Sequence, residues 1–184
     1  MGSAGHGQTG CCGGCAGGGV LGAAVELLGQ CEAIIGAVGD GPFVAGSAVL
    51  AGGTIGKHLR HTLDHYAAIV GRRRGEPIDY DHRERGVPVE SSRVAAREQV
   101  TSLRAAISAL EGTGADEVRI RVMLSGDGRE AVLRSTVARE VAFATHHAVH
   151  HVAMMRAIAL EHGVELGADV GKAPSTINYE QAGA

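Results

Sequence analysis

The chain of 184 residues holds ten histidines, and seven of them fall in two short stretches. His58, His61 and His65 lie in one; His146, His147, His150 and His151 lie in the other. Imidazole nitrogen is the commonest side-chain metal ligand. Two imidazoles share one ion when they project from successive turns of a single helix face, as an i, i+4 spacing arranges. Both His146/His150 and His147/His151 have that spacing. On a wheel of about 100° per residue, Val137, Val141, Ala144, Ala148, Met155 and Ile158 share one arc. His147 and His151 fall inside it, whereas His146 and His150 fall at its edge or outside. The inward pair is therefore His147/His151. Two ligands hold an ion weakly, so a third must come from another helix. His58, His61 and His65 lie within roughly 60° of one another, beside an apolar stripe, and any of them completes a three-histidine site. The competing reading is a polar cluster without metal, which must give each buried neutral imidazole both a donor and an acceptor partner.

These histidines need helices to carry them, and the apolar spacing supplies candidates. Val20, Leu21, Ala24, Leu27, Leu28, Cys31, Ile34, Ile35 and Val38 recur at three and four, the signature of a first helix that Gly39-Asp40-Gly41-Pro42 ends. A loop follows to Gly53. Thr54 suits the N-cap of a second helix, with Ile55, Leu59, Leu63, Tyr66, Ile69 and Val70 on one face. Arg72, Arg73 and Arg74 read as its solvated end, where cations complement the helix dipole. The segment 76–90 is charged, contains two prolines and reads as a long loop of the kind that often carries function. Ser91 or Ser92 caps a third helix through about Leu110. The alternation in 118–124, the turn chemistry of Ser125-Gly126-Asp127-Gly128 and the segment 130–135 predict a short β-hairpin. A fourth helix runs from about Thr136 to His162, with Gly163 at its C′ position. The last twenty residues read as extended. The expected fold class is all-α: a four-helix bundle with a short hairpin between helices three and four.

Composition bounds the partners. Hydrophobic residues make up 45%, charged residues 20% and aromatics 3%, which describes a globular chain with an aliphatic core. The net charge of -3 gives no electrostatic footprint for nucleic acid, and the scarcity of aromatics argues against base stacking. No run reads as a membrane span or signal peptide, so a cytoplasmic protein with reduced thiols is expected. Residues 1–19 are rich in glycine and read as a flexible tail, leaving 20–184 as the helical domain. The tail holds Cys11, Cys12 and Cys15, but Cys12 and Cys15 make only half of a zinc-ribbon pattern.

Three segments together resemble the DinB-like (YfiT-like) superfamily of metal-dependent four-helix proteins. They are Thr54–His61 (TIGKHLRH), Arg139–His151 (REVAFATHHAVHH) and Ala173–Tyr179 (APSTINY), and the resemblance spans roughly residues 20 to 180. It implies metal ligands at His61, His147 and His151. The wheel slightly favours His58 and His65 over His61, so His58 stands as the next candidate. A subgroup shares the loop matched by Ile78–Arg85 (IDYDHRER). Asp79, Asp81, Arg83 and Arg85 in that loop are placed to line the site and grip a carboxylate or phosphate. Glu140, seven residues before His147, is a candidate fourth ligand, general base or orienting partner. The resemblance further implies a divalent ion (zinc, nickel, iron or manganese), a metal-dependent transferase or hydrolase activity such as thiol S-transfer with a low-molecular-weight thiol, and a homodimer. A non-enzymatic metal-binding or stress protein, or a structural dimer module, are the alternatives.

Overall fold

The computed structural model describes residues 19–84 and 86–183. The cysteine-bearing segment 1–18 and Arg85 lie outside the described residues. Four long helices carry most of the core, and each forms where the apolar spacing placed it. α1 (Val20–Ala37) buries Ala24, Leu27, Leu28, Cys31, Ile34 and Ile35. α2 (Asp40–Val44) is a five-residue helix that buries Phe43. α3 (Ile55–Val70) opens with the Thr54 hydroxyl accepting from the Lys57 amide at 3.0 Å, which satisfies one of the unpaired donors of its first turn. α4 (Arg93–Ser108) is capped the same way by Ser92, which accepts from the Ala95 amide at 3.3 Å. α5 (Val137–Glu161) is capped by Thr136. α1 packs on α4 and α5, and α3 packs on the same two helices.

The expectation of an all-α four-helix bundle is corrected here: the chain is a mixed α/β fold. A three-stranded sheet, in the order β1-β2-β3, is built into it. β2 (Glu117–Met123) and β3 (Glu130–Thr136) are antiparallel and occupy the segment read as a hairpin. They are not an appendage, because β1 (Ile78–Asp79) joins β2 in parallel, pairing Ile78 with Ile120. Both isoleucines lie in the core, at 3% and 6% exposure. β3 also runs without a break into α5, so the sheet register fixes where that helix starts.

Three stretches read as irregular are ordered elements. The segment 76–90 contains β1 and a single 3-10 turn, Pro88–Glu90. Gly39-Asp40-Gly41-Pro42 ends α1 by starting α2, with Asp40 in the first turn and Phe43 as its apolar anchor. The last residues form α6 (Pro174–Ala182), with proline in the first turn, where its missing amide costs nothing. α1 is 18 residues long with mean hydropathy 1.5, long and apolar enough by those measures to cross a membrane. In this fold its apolar face packs into the protein core.

Candidate metal centre

α3 and α5 lie side by side and bring their histidines together. Leu59, Leu63 and Ile69 on α3 and Val141, Ala144, Ala148 and Val152 on α5 are all buried, which fixes how the two helices are rotated. Small residues at 144 and 148 let α5 approach closely. His61 on α3 then faces His147 and His151 on α5, and one ligand atom from each lies within 4.8 Å of the other two. The Nε2 atoms of His61 and His147 are 3.1 Å apart, as are those of His151 and His147. His151 is 8% exposed, whereas His146 and His150 are exposed.

The donor chemistry fits a divalent cation. A neutral imidazole has one N–H and one lone pair. The Nε2 atoms of His61 and His151 both contact that of His147, and they cannot all be satisfied by one another, because a single lone pair at His147 is asked to serve two neighbours. Three imidazole nitrogens offered to one ion is the donor set of open catalytic zinc sites. Burial, followed by the charges of His65, Arg83, His151 and His147, pushes the His61 imidazole down to about 3. Burial, then His147, His58, His150 and His65, pushes His151 down to about 3 as well. Burial lowers His147 too, with His65 as the next cause. The three imidazoles are therefore neutral near pH 7, the form that ligates metal.

His58 and His65 flank this group. The His58 Nδ1 lies 3.1 Å from Nδ1 of His151, on the opposite side of that ring from His147. The His58 Nε2 is buried without a hydrogen-bond partner. A Cβ on Gly53 would stand 2.6 Å from that atom, so a glycine there leaves room for the ring. His65 donates from Nδ1 to the His61 carbonyl at 2.9 Å and stacks on Tyr80, with ring centroids 5.1 Å apart. Burial holds the His58 and His65 imidazoles below their ordinary range.

The loop residues divide. Arg83 reaches the cluster: its Nη1 donates to Nδ1 of His61 at 2.6 Å, and its Nε lies 3.6 Å from Asp64. Asp79 instead organises its own loop. Its Oδ1 accepts from the amides of Asp81 and His82, both at 3.0 Å, and its Oδ2 pairs with Arg121 at 3.3 Å. Burial opposes these bonds, yet they hold the Asp79 carboxyl below its usual range. Asp81 ties the loop to the sheet by accepting from the Met123 amide at 2.7 Å. Arg85 lies outside the described residues.

Glu140 is fully buried, and its carboxylate is bonded to groups other than the histidines. Its carboxylate accepts from the Tyr80 hydroxyl at 2.6 Å, from Arg139 at 2.8 Å and from the Ser135 hydroxyl. Because Tyr80 is the ring on which His65 stacks, Glu140 supports the site at one remove. Around the buried Arg60 lies a charged network that no sequence motif marks. Arg60 pairs with Asp64 at 3.3 Å and with Glu90, and Asp64 links it to Arg83. The i, i+4 spacing of Arg60 and Asp64 is the one trace of it in the sequence. Cys31, the free cysteine among the described residues, is buried in α1, which raises its thiol to about 12 and leaves it inert.

Among curated proteins, the chain is similar to FK506-binding protein 5 of Rhizopus delemar, with 30% identity over 104 residues. That alignment takes in 55% of this chain and 27% of the relative, so the chain spans about a quarter of that protein's length. No protein-family model matches the chain, and no solved structure matches it.

Proposed function

We propose that this protein binds one divalent metal ion through His61, His147 and His151, and that the centre serves a metal-dependent transferase or hydrolase. The convergence of three neutral imidazoles within 4.8 Å, drawn from two helices, carries the reading. The sequence resemblance to DinB-like proteins supports the same three residues. A divalent ion held there supplies Lewis acidity, which lowers the pKa of a thiol or water that joins the ligand set. Zinc, nickel, iron and manganese are all compatible with imidazole donors.

The chain's own residues orient and enclose this centre. His58 abuts His151 at Nδ1 and fixes that ring. His65, Tyr80 and Phe143 form an aromatic wall, with Phe143 stacked on His147 at 5.8 Å between ring centroids. Arg83 supplies the fixed positive charge that an anionic substrate group requires. A low-molecular-weight thiol bearing a carboxylate is the substrate class that uses both features.

Equilibrium dialysis against zinc tests the reading, on protein purified without a histidine tag. The wild-type chain is expected to bind one equivalent, and His61→Ala, His147→Ala and His151→Ala each to lose at least about tenfold in affinity. Wild-type protein that folds and takes up no zinc, nickel, iron or manganese contradicts it. Turnover of thiol and electrophile pairs by the loaded protein then separates an enzyme from a metal-binding protein without catalysis.

A further inference from the structure

Beyond the C-terminal end of α3, a cleft of about 1160 Å³ is lined by the chain that follows the helix, the start of β2 and the end of β3. None of the candidate metal ligands lines it. Five arginines do: Arg72, Arg73 and Arg74 after α3, Arg119 on β2 and Arg134 on β3. Glu76, Asp116 and Glu117 line it too, which leaves a surplus of two positive charges. Among the described residues, none of the five arginines is ion-paired.

Helix-end electrostatics account for Arg72, whose Nη1 donates to the Ile69 carbonyl at 3.3 Å in the last turn of α3. They do not account for Arg119 and Arg134, which arrive from the sheet. These two are partners in the β2–β3 register. Residues directly opposite in an antiparallel pair leave the sheet on one face, and like charges placed that way are destabilising. The next arginine on that face of β2 shows the contrast: Arg121 is held by Asp79 at 3.3 Å and by Glu130 at 3.4 Å. Arg119 instead donates from Nη2 to the Gly75 carbonyl at 2.6 Å, which draws it toward the segment bearing Arg72, Arg73 and Arg74. The fold thus gathers like charges from three segments into one cleft, an arrangement that an anion offsets.

The lining also says what kind of anion. The first amides of α5 are already spent, Val137 on the Asp116 carbonyl at 3.1 Å and Ala138 on the Gly114 carbonyl at 3.0 Å, so recognition falls to the guanidinium groups. Their planar forks match phosphate oxygens two at a time. Among the described residues no aromatic ring lines the cleft, so it is the anionic groups and not a stacked base that are read. We propose that this cleft binds a small molecule carrying two or more linked phosphate groups, held between the arginines after α3 and the Arg119–Arg134 pair. The assignment is independent of the histidine centre.

Calorimetric titration of the full chain with inorganic pyrophosphate tests it. One equivalent is expected to bind, and Arg134→Ala and the double variant Arg73→Ala/Arg74→Ala each to lose at least about tenfold in affinity. Both changes fall on exposed side chains, and they probe the cleft from different segments. Arg129→Ala removes a like charge from the turn between β2 and β3, outside the cleft, and is expected to stay within about twofold of the wild type. Wild-type protein that binds no pyrophosphate overturns the proposal. So does an Arg129→Ala loss as large as that of Arg134→Ala, which would reduce binding to general attraction by positive charge. Citrate bound as tightly as pyrophosphate overturns the phosphate assignment.

Discussion

At the residue scale, the site separates side chains that face the point of convergence from side chains that support them. His61, His147 and His151 present nitrogen lone pairs or protons to one another. Glu140 does neither, although it lies on the same helix and close to the ligand pair in sequence. Its carboxylate is consumed by Tyr80, Arg139 and Ser135. Replacing it with alanine strands a buried tyrosine hydroxyl. Glu140→Ala is expected to cost on the order of 3 kcal/mol of stability, read from urea denaturation, while zinc affinity stays within about twofold. Loss of zinc affinity in a variant of wild-type stability would restore Glu140 as a ligand. The sequence pointed to the inward face of α5 because the i, i+4 pair coincided with the apolar arc. The wheel left the third candidate open, because His58, His61 and His65 all flank the same stripe of α3, and only the resemblance put His61 first. What brings His61 to His147 and His151 is the rotation of α3 against α5, a property of packing between distant segments that no single wheel contains.

At the element scale, the four long helices were legible because each carries enough apolar repeats to bury a face. The missed elements share a different physics. β1 is two residues long and exists through pairing with β2, some forty residues away in the chain. α6 buries none of its residues, so no apolar stripe marks it. α2 depends on Phe43 finding the core. One of the contacts that hold the loop between α3 and α4 is concealed by the sequence. Inside α3, a Cβ on Gly56 would stand 2.0 Å from the Glu90 carbonyl oxygen. The glycine lets the 3-10 turn rest on the helix backbone, which carries Glu90 to Arg60. Gly56→Ala would add helix propensity worth up to about 1 kcal/mol. It is nevertheless expected to destabilise the protein by roughly 1–3 kcal/mol, because the obstruction is backbone rather than a movable side chain. Chemical denaturation reads the sign directly, and a more stable Gly56→Ala would contradict this account of the loop.

At the scale of the whole molecule, the fold holds a cluster of neutral imidazoles against their own solvation, and stability must depend on pH accordingly. An unfolded histidine takes up its proton near 6.5, whereas folded His61 and His151 do so only at about 3. Between those values the unfolded chain binds more protons than the folded one. Their contribution to stability is therefore complete above about 6.5 and is lost as the pH falls toward 3. Urea midpoints of chelator-treated protein are expected to drop across that window, and His61→Gln and His151→Gln to flatten the slope. A midpoint indifferent to pH between 6.5 and 4 would show that the histidines are not desolvated in solution.

The architecture also explains why the histidines of α3 and α5 meet where they do. The sheet leads into α5 and anchors the loop from which Arg83 extends, so one framework registers His147, His151 and Arg83. X-ray absorption spectroscopy of the zinc-loaded full chain tests the central claim most directly. Three histidine nitrogens at about 2.0–2.1 Å, without sulfur scattering and lost in His147→Ala, is the predicted result. Sulfur in the coordination shell, at about 2.3 Å, would place the ion on cysteines instead and contradict the assignment of His61, His147 and His151.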